Sequence, residues 1–204
     1  ELKRTVNIGS QGYGGVYVMD YTNPTSPTLS TSFTLQGLTP TNGGAAIDLG
    51  TVTRISSTTP STSSATTDNY IGATPNVLVR DMDAFGKVGK VGYGDLEVDE
   101  SGNYLWLVNL NQQALIKMNI TGSTYPGAVE QYNIIGATGV PSCASGSLRP
   151  WGLSFHHGKG YLGVVCDASV TQNKNDLAGY VLSFDPNNVN AGFNLELTIP
   201  FDYP

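Results

Sequence analysis

Charge is scarce in this chain. Asp, Glu, Lys and Arg make up 13% of its 204 residues, about half the share of an ordinary globular domain. The basic residues are scattered from Lys3 to Lys174 without clustering, and the formal charge is −6. A nucleic-acid partner requires a basic stripe to neutralise phosphates, so that class is set aside. Long apolar runs are also missing; none approaches the roughly 18 residues of a membrane-spanning helix. Cysteine occurs twice, with no Cys-x-x-Cys pair to seat zinc. No Gly-x-Ser-x-Gly element is present to suggest a serine hydrolase. The sequence opens at Glu1 with neither Met nor a signal peptide, so a targeting segment is expected to have been removed or to lie elsewhere.

Gly (25), Pro (11) and Tyr (11), with abundant Ser, Thr and Asn, replace the missing charge. This balance favours many short strands joined by turns, because β-branched and aromatic residues pack well on a pleated surface. Residues 1–204 read as one all-β region, long enough to bury a core. Within it, Thr51 to Ala73 is rich in Ser and Thr and reads either as a loop insertion or as a disordered linker.

Three stretches align on a polar turn residue. In "VYVMDYTNPTSPTLSTSFTL", "ALIKMNITGSTYPGAVEQYNI" and "GYVLSFDPNNVNAGFNLELTI", a short strand ends at Asp20, Asn119 or Asp185 and a second alternating strand returns. An Asx side chain bonds to the backbone just ahead of it, which is why it starts turns. A shorter copy, "NVLVRDMDAFGKVGKV", would turn at Asp81. Ahead of two of these hairpins, "GDLEVDESGNYLWLVNL" and "WGLSFHHGKGYLGVVCD" share Gly, a strand, a Gly-containing turn, then Tyr-Leu and apolar residues. Two inner strands followed by an outer hairpin make a four-stranded antiparallel unit, the blade of a β-propeller. About four such blades are expected, as part of a larger propeller, because the first unit has only its outer hairpin.

The run from "GYGDLEVDESGNYLWLVNL" through "PSCASGSLRPWGLSFHHGKGYLGVVCDAS" to "DLAGYVLSFDP" and "IPFDYP" resembles a family of large bacterial surface proteins. It is similar to the propeller-like N-terminal region of such proteins, common in Bacteroidota, that also carry SdrD B-like repeat domains. The similarity covers about residues 92–204. It implies a chain that continues beyond the "DYP" element, secretion, attachment to the cell surface, and an adhesive or structural role. It supplies no catalytic residues.

The residues themselves offer a few sites. Cys143 and Cys166 are an even count and suggest a disulfide, closing a loop of about 24 residues and contributing roughly 3 kcal/mol. Two free thiols are the alternative. Asp95, Glu97 and Asp99 alternate with Leu96 and Val98 and so share one face of a strand. There Asp95 and Glu97 could offer oxygens to Ca²⁺, or simply form a solvated face. Asp81 and Asp83 read as turn residues. His156 and His157 are expected at a turn, pointing opposite ways as neighbours on a strand end do, without an oriented nucleophile for base catalysis. Arg149 is expected to stack or pair structurally. Asn119 opens an Asn-Ile-Thr glycosylation sequon, although its turn role already explains the Asn.

Together these point to a non-enzymatic extracellular module that presents loops to a protein or glycan surface or to neighbouring subunits. Two further readings stand beside it: a subunit of an extracellular filament or sheath, and a calcium-dependent propeller hydrolase of the lactonase kind.

Overall fold

The computed structural model describes residues 11, 14–52, 55–56, 70–71 and 82–201. Its elements are strands β1 (Gly15–Asp20), β2 (Thr28–Thr34), β3 (Ile55–Ser56), β4 (Tyr70–Ile71), helix α1 (Met82–Lys87), then β5 (Tyr93–Val98), β6 (Tyr104–Asn109), β7 (Ala114–Asn119), β8 (Val129–Asn133), β9 (Leu148–His156), β10 (Lys159–Cys166), β11 (Ala178–Phe184) and β12 (Asn194–Pro200). Among the described residues the chain is all-β apart from α1 and short 3-10 turns. β5 to β8 and β9 to β12 each form a four-stranded antiparallel sheet in chain order, and β1 pairs with β2 alone among the described strands. β3 and β4 make a two-residue parallel bridge inside the Ser/Thr-rich stretch, most of which lies outside the described residues.

The three expected hairpins are β1–β2, β7–β8 and β11–β12, and each turns through its Asx residue. Asp20 accepts the Thr22 N–H at 2.8 Å, Asn119 the Thr121 N–H at 2.9 Å, and Asp185 the Asn187 N–H at 2.8 Å. The inner pairs β5–β6 and β9–β10 form as well. Asp81 lies outside the described residues, but the return strand expected after it does not form over 82–87. That segment, Met-Asp-Ala-Phe-Gly-Lys, makes the short helix α1 instead. Met, Ala and Lys favour helix, and no β-branched side chain opposes it.

The middle sheet is buried on both faces. Along β6, Leu105 and Leu107 face one layer while Trp106 and Val108 face the other, which is why "LWLV" is continuously apolar rather than alternating. On the first face Leu105, Leu107, Ile116, Met118 and Val129 pack against Phe33, Leu35, Ile47 and Leu49 of β2 and the loop after it. On the second, Trp106, Val108 and Leu115 pack against Leu148, Leu153, Leu162, Val164, Leu182 and Phe184 of the other sheet. Each such side chain, fully buried, contributes about 1.5–3 kcal/mol. Trp106 anchors this second core, with ring centroids 5.4 Å from Phe155 and 5.6 Å from Phe184. Gly160 is paired across from Phe184, whose ring occupies the space a Cβ would need. Lys117, the one charge in the buried part of β7, is accommodated by the rings of Tyr104 and Trp106 and donates to the Pro186 carbonyl at 3.0 Å.

Candidate functional site

The two cysteines form a disulfide, with their Cα atoms 5.5 Å apart. Cys166 ends β10 with its side chain in the second core, and Cys143 lies in the connection from β8 to β9. Asp167 follows at once and holds the same connection a second time. Its Oδ1 accepts the N–H groups of Ser147 at 2.8 Å and Ser169 at 3.0 Å, and its Oδ2 accepts Arg149 Nε at 2.9 Å. Burial pushes the Asp167 carboxyl up. The Ser147 N–H, the Ser169 hydroxyl and the Arg149 guanidinium outweigh it and hold the group well below the usual carboxylate range. Arg149 therefore has the structural pairing expected of it. Ser145 Oγ sits 3.2 Å from Cys166 Sγ.

Beside this double clasp is an open cleft of about 410 Å³, lined by Gln113, Ile135, Val140, Pro141, Cys143 and Leu148 among others. Gln113 closes one wall by donating to the Leu148 carbonyl. The lining holds no ionisable side chain, so the cleft offers shape and amide hydrogen bonding rather than acid–base chemistry.

A second tie joins the ends of the two large sheets. The Glu100 carboxylate, in the β5–β6 turn, accepts the N–H groups of His157 at 2.8 Å and Gly158 at 2.6 Å in the β9–β10 turn. These bonds, with the nearby His156 and His157 charges, lower the Glu100 pKa. The histidines do not point opposite ways as expected; their ring centroids are 3.8 Å apart. His157 has φ 50° and Gly158 φ 75°, a two-residue turn with both central residues left-handed, so His157 leaves the strand before alternation can apply.

Asp95 and Glu97 are not drawn into a common ligand set. Asp95 Oδ2 accepts the Leu153 N–H of β9 at 3.0 Å and its Oδ1 accepts the Leu96 N–H at 2.9 Å, tying the first strands of the two sheets together. Glu97 is exposed. Among the described residues no group of three His, Cys, Asp or Glu side chains is placed to hold a metal ion.

Sequence reasoning missed an amide network around buried Asn109. Its Oδ1 accepts the N–H groups of Asn111 and Gln112, both at 3.1 Å, and its Nδ2 donates to Gln112 Oε1 and Gln131 Oε1. Gln112 and Asn111 in turn reach the Ala46 and Asp48 carbonyls, fixing the loop after β2 onto the middle sheet. The run "NLNQQ" was the available signal, since so many amides at one strand end need partners.

No family model matches the chain, and no solved structure matches it. Among curated proteins it is similar to Colossin-B of Dictyostelium discoideum, with 27% identity over 117 residues. That similarity takes in 56% of this chain and 3% of Colossin-B, so the chain spans a small part of its relative's length.

Proposed function

We propose that the chain is a non-enzymatic structural or adhesive module of an extracellular protein, built from β-propeller-type blades within a much longer polypeptide. The observation that carries this reading is the use made of the carboxylates. Asp95 binds one backbone N–H of the neighbouring sheet and Glu100 two, and Asp167 binds those of the loop beside its own disulfide. Groups that acid–base or metal chemistry would need free instead hold sheets and loops in register. The two large sheets run in the same strand order with β5 beside β9, as successive blades do around an axis. The last sheet presents Val165, Val181 and half-exposed Leu197 on the face away from the core, a surface suited to a further sheet. The disulfide suits an oxidising, extracellular setting. Similarity to 3% of a curated relative supports a segment embedded in a long chain, and the resemblance of residues 92–204 to surface proteins with SdrD B-like repeats points the same way.

The test is the mass and location of the natural polypeptide, read by denaturing mass spectrometry on secreted and cellular fractions. A secreted or surface-bound species far heavier than 21.5 kDa is expected. A cytoplasmic, reduced species of 21.5 kDa would overturn the proposal.

A further inference from the structure

We infer that Asn119 is an N-glycan acceptor, carried on the outer hairpin of the first four-stranded sheet. The inference rests on the extracellular reading above and adds a modification site to it. Three turns in the structure share one geometry. In each, an Asx Oδ1 accepts both the N–H and the hydroxyl of a threonine two residues on: Asp20 with Thr22 at 2.8 and 2.5 Å, Asn23 with Thr25 at 3.2 and 2.8 Å, Asn119 with Thr121 at 2.9 and 2.7 Å. Shape is therefore common to all three, and chemistry separates them. Asp20 has no amide nitrogen to modify. Asn23 is followed by Pro24, which the acceptor sequence excludes. Asn119 is followed by Ile120, whose N–H donates to the Asn103 carbonyl at 2.9 Å and leaves the turn otherwise intact.

Asn119 also has its amide nitrogen left free by the turn. Its Oδ1 is saturated by the two threonine bonds, while its Nδ2 finds no partner among the described residues. Residues 121–124 ahead of it are all exposed. Asn119 is the last residue of β7 and half-buried, and the chain passes directly from it into the exposed turn. The Cys143–Cys166 bond is an independent pointer to the oxidising compartment in which such transfer takes place. In that step Nδ2 attacks the anomeric carbon of a lipid-pyrophosphate-linked oligosaccharide. The new carbon–nitrogen bond replaces the carbon–oxygen bond to pyrophosphate, the lipid pyrophosphate departs, and Nδ2 loses one proton.

The experiment expresses the complete chain behind a cleavable secretion signal in a eukaryotic secretory cell. Intact masses are taken from medium and cell fractions, before and after peptide N-glycosidase. Added mass that the amidase removes, leaving Asp at position 119, is expected in the wild type and absent in Thr121→Ala and Asn119→Asp. Asn119→Asp keeps the carboxylate turn seen at Asp20, so loss of the glycan there does not reflect failure to fold. Unmodified Asn119 in both wild-type fractions, or a glycan that survives in Asn119→Asp, overturns the inference. Alkylation in the same spectra reads the disulfide separately. A chain that forms the disulfide yet carries no glycan therefore refutes the acceptor site and leaves the extracellular reading standing.

Discussion

Removing the Cys143–Cys166 bond tests whether the connection into β9 is held twice over. The cysteines are 23 positions apart; a loop of that size restricts the unfolded chain by roughly 3 kcal/mol at 25 °C on the chain-entropy account. In the folded state the same connection keeps the Asp167 bonds to Ser147, Ser169 and Arg149, and the Ser147 carbonyl still accepts the Asp167 N–H at 3.0 Å. The native arrangement should therefore survive, with the loss falling mainly on the unfolded side. Replacing both cysteines by Ala also removes the buried Cys166 sulfur from the core, at a cost of about 1 kcal/mol. The total of about 4 kcal/mol is a large part of the 5–15 kcal/mol typical of a domain. Guanidinium unfolding tracked by tryptophan fluorescence reads it, because Trp106 is wholly buried against Phe155 and Phe184. The midpoint should fall and the slope steepen, since an unlinked unfolded chain exposes more surface. Native emission should stay where it is. An unchanged midpoint would refute the loop-entropy argument; a red-shifted native spectrum would refute the claim that Asp167 holds the segment alone.

Three further perturbations probe the ties one at a time. Asp167→Asn should cost about 1–2 kcal/mol at neutral pH, the worth of charge-assisted bonds to Arg149 and two N–H groups. Because the fold lowers the Asp167 pKa, wild-type stability from this group is complete above its unfolded value of about 3.9 and is lost as pH falls toward the folded value; urea midpoints of wild type and mutant should converge below about pH 4, and parallel curves would refute this. Glu100→Gln should speed hydrogen exchange at the His157 and Gly158 amides while leaving core amides unmoved, and wild-type exchange there would count against the tie. Gly160→Ala drives a Cβ into the Phe184 ring and should cost about 1–3 kcal/mol by calorimetry or denaturant titration, an unchanged Tm being the contrary result.

The features legible in the sequence are those decided within a few residues. The hairpins were legible because Asp20, Asn119 and Asp185 each make their turn bond to a residue two positions ahead. β6 was legible as the second strand of a pair because "GDLEVDESGNYLWLVNL" shares the pattern of "WGLSFHHGKGYLGVVCD"; that its "LWLV" run serves two cores is seen only in the fold. The disulfide was legible from an even pair, one in the loop entering β9 and one at the end of β10. The histidines depart from strand alternation over a local feature that was present: a His-Gly pair between two strands is a left-handed turn signal, and it takes His157 off the strand. The helix at Met82–Lys87 was hidden by an apparent repeat, since matching a turn residue says nothing about the propensity of the residues after it.

The carboxylates show why the site was harder to read than the fold. Asp95 reads from the sequence as a Ca²⁺ oxygen donor or as part of a solvated face, because it alternates with Leu96 and precedes Glu97 and Asp99, a pattern visible within one strand. Its actual partner, Leu153, is 58 residues away, and the partners of Glu100 are 57 and 58 residues away. Those bonds exist only once β5 lies beside β9 and the two inner turns meet, a relation between sheets that strand periodicity does not contain. The same relation determines which backbone groups an acidic residue meets. A carboxylate that receives two backbone N–H groups is stabilised as an anion. Glu100 takes both of its N–H groups from the turn of the adjacent sheet and Asp95 takes one of its two from there, so each carboxylate ties the two sheets at a fixed point.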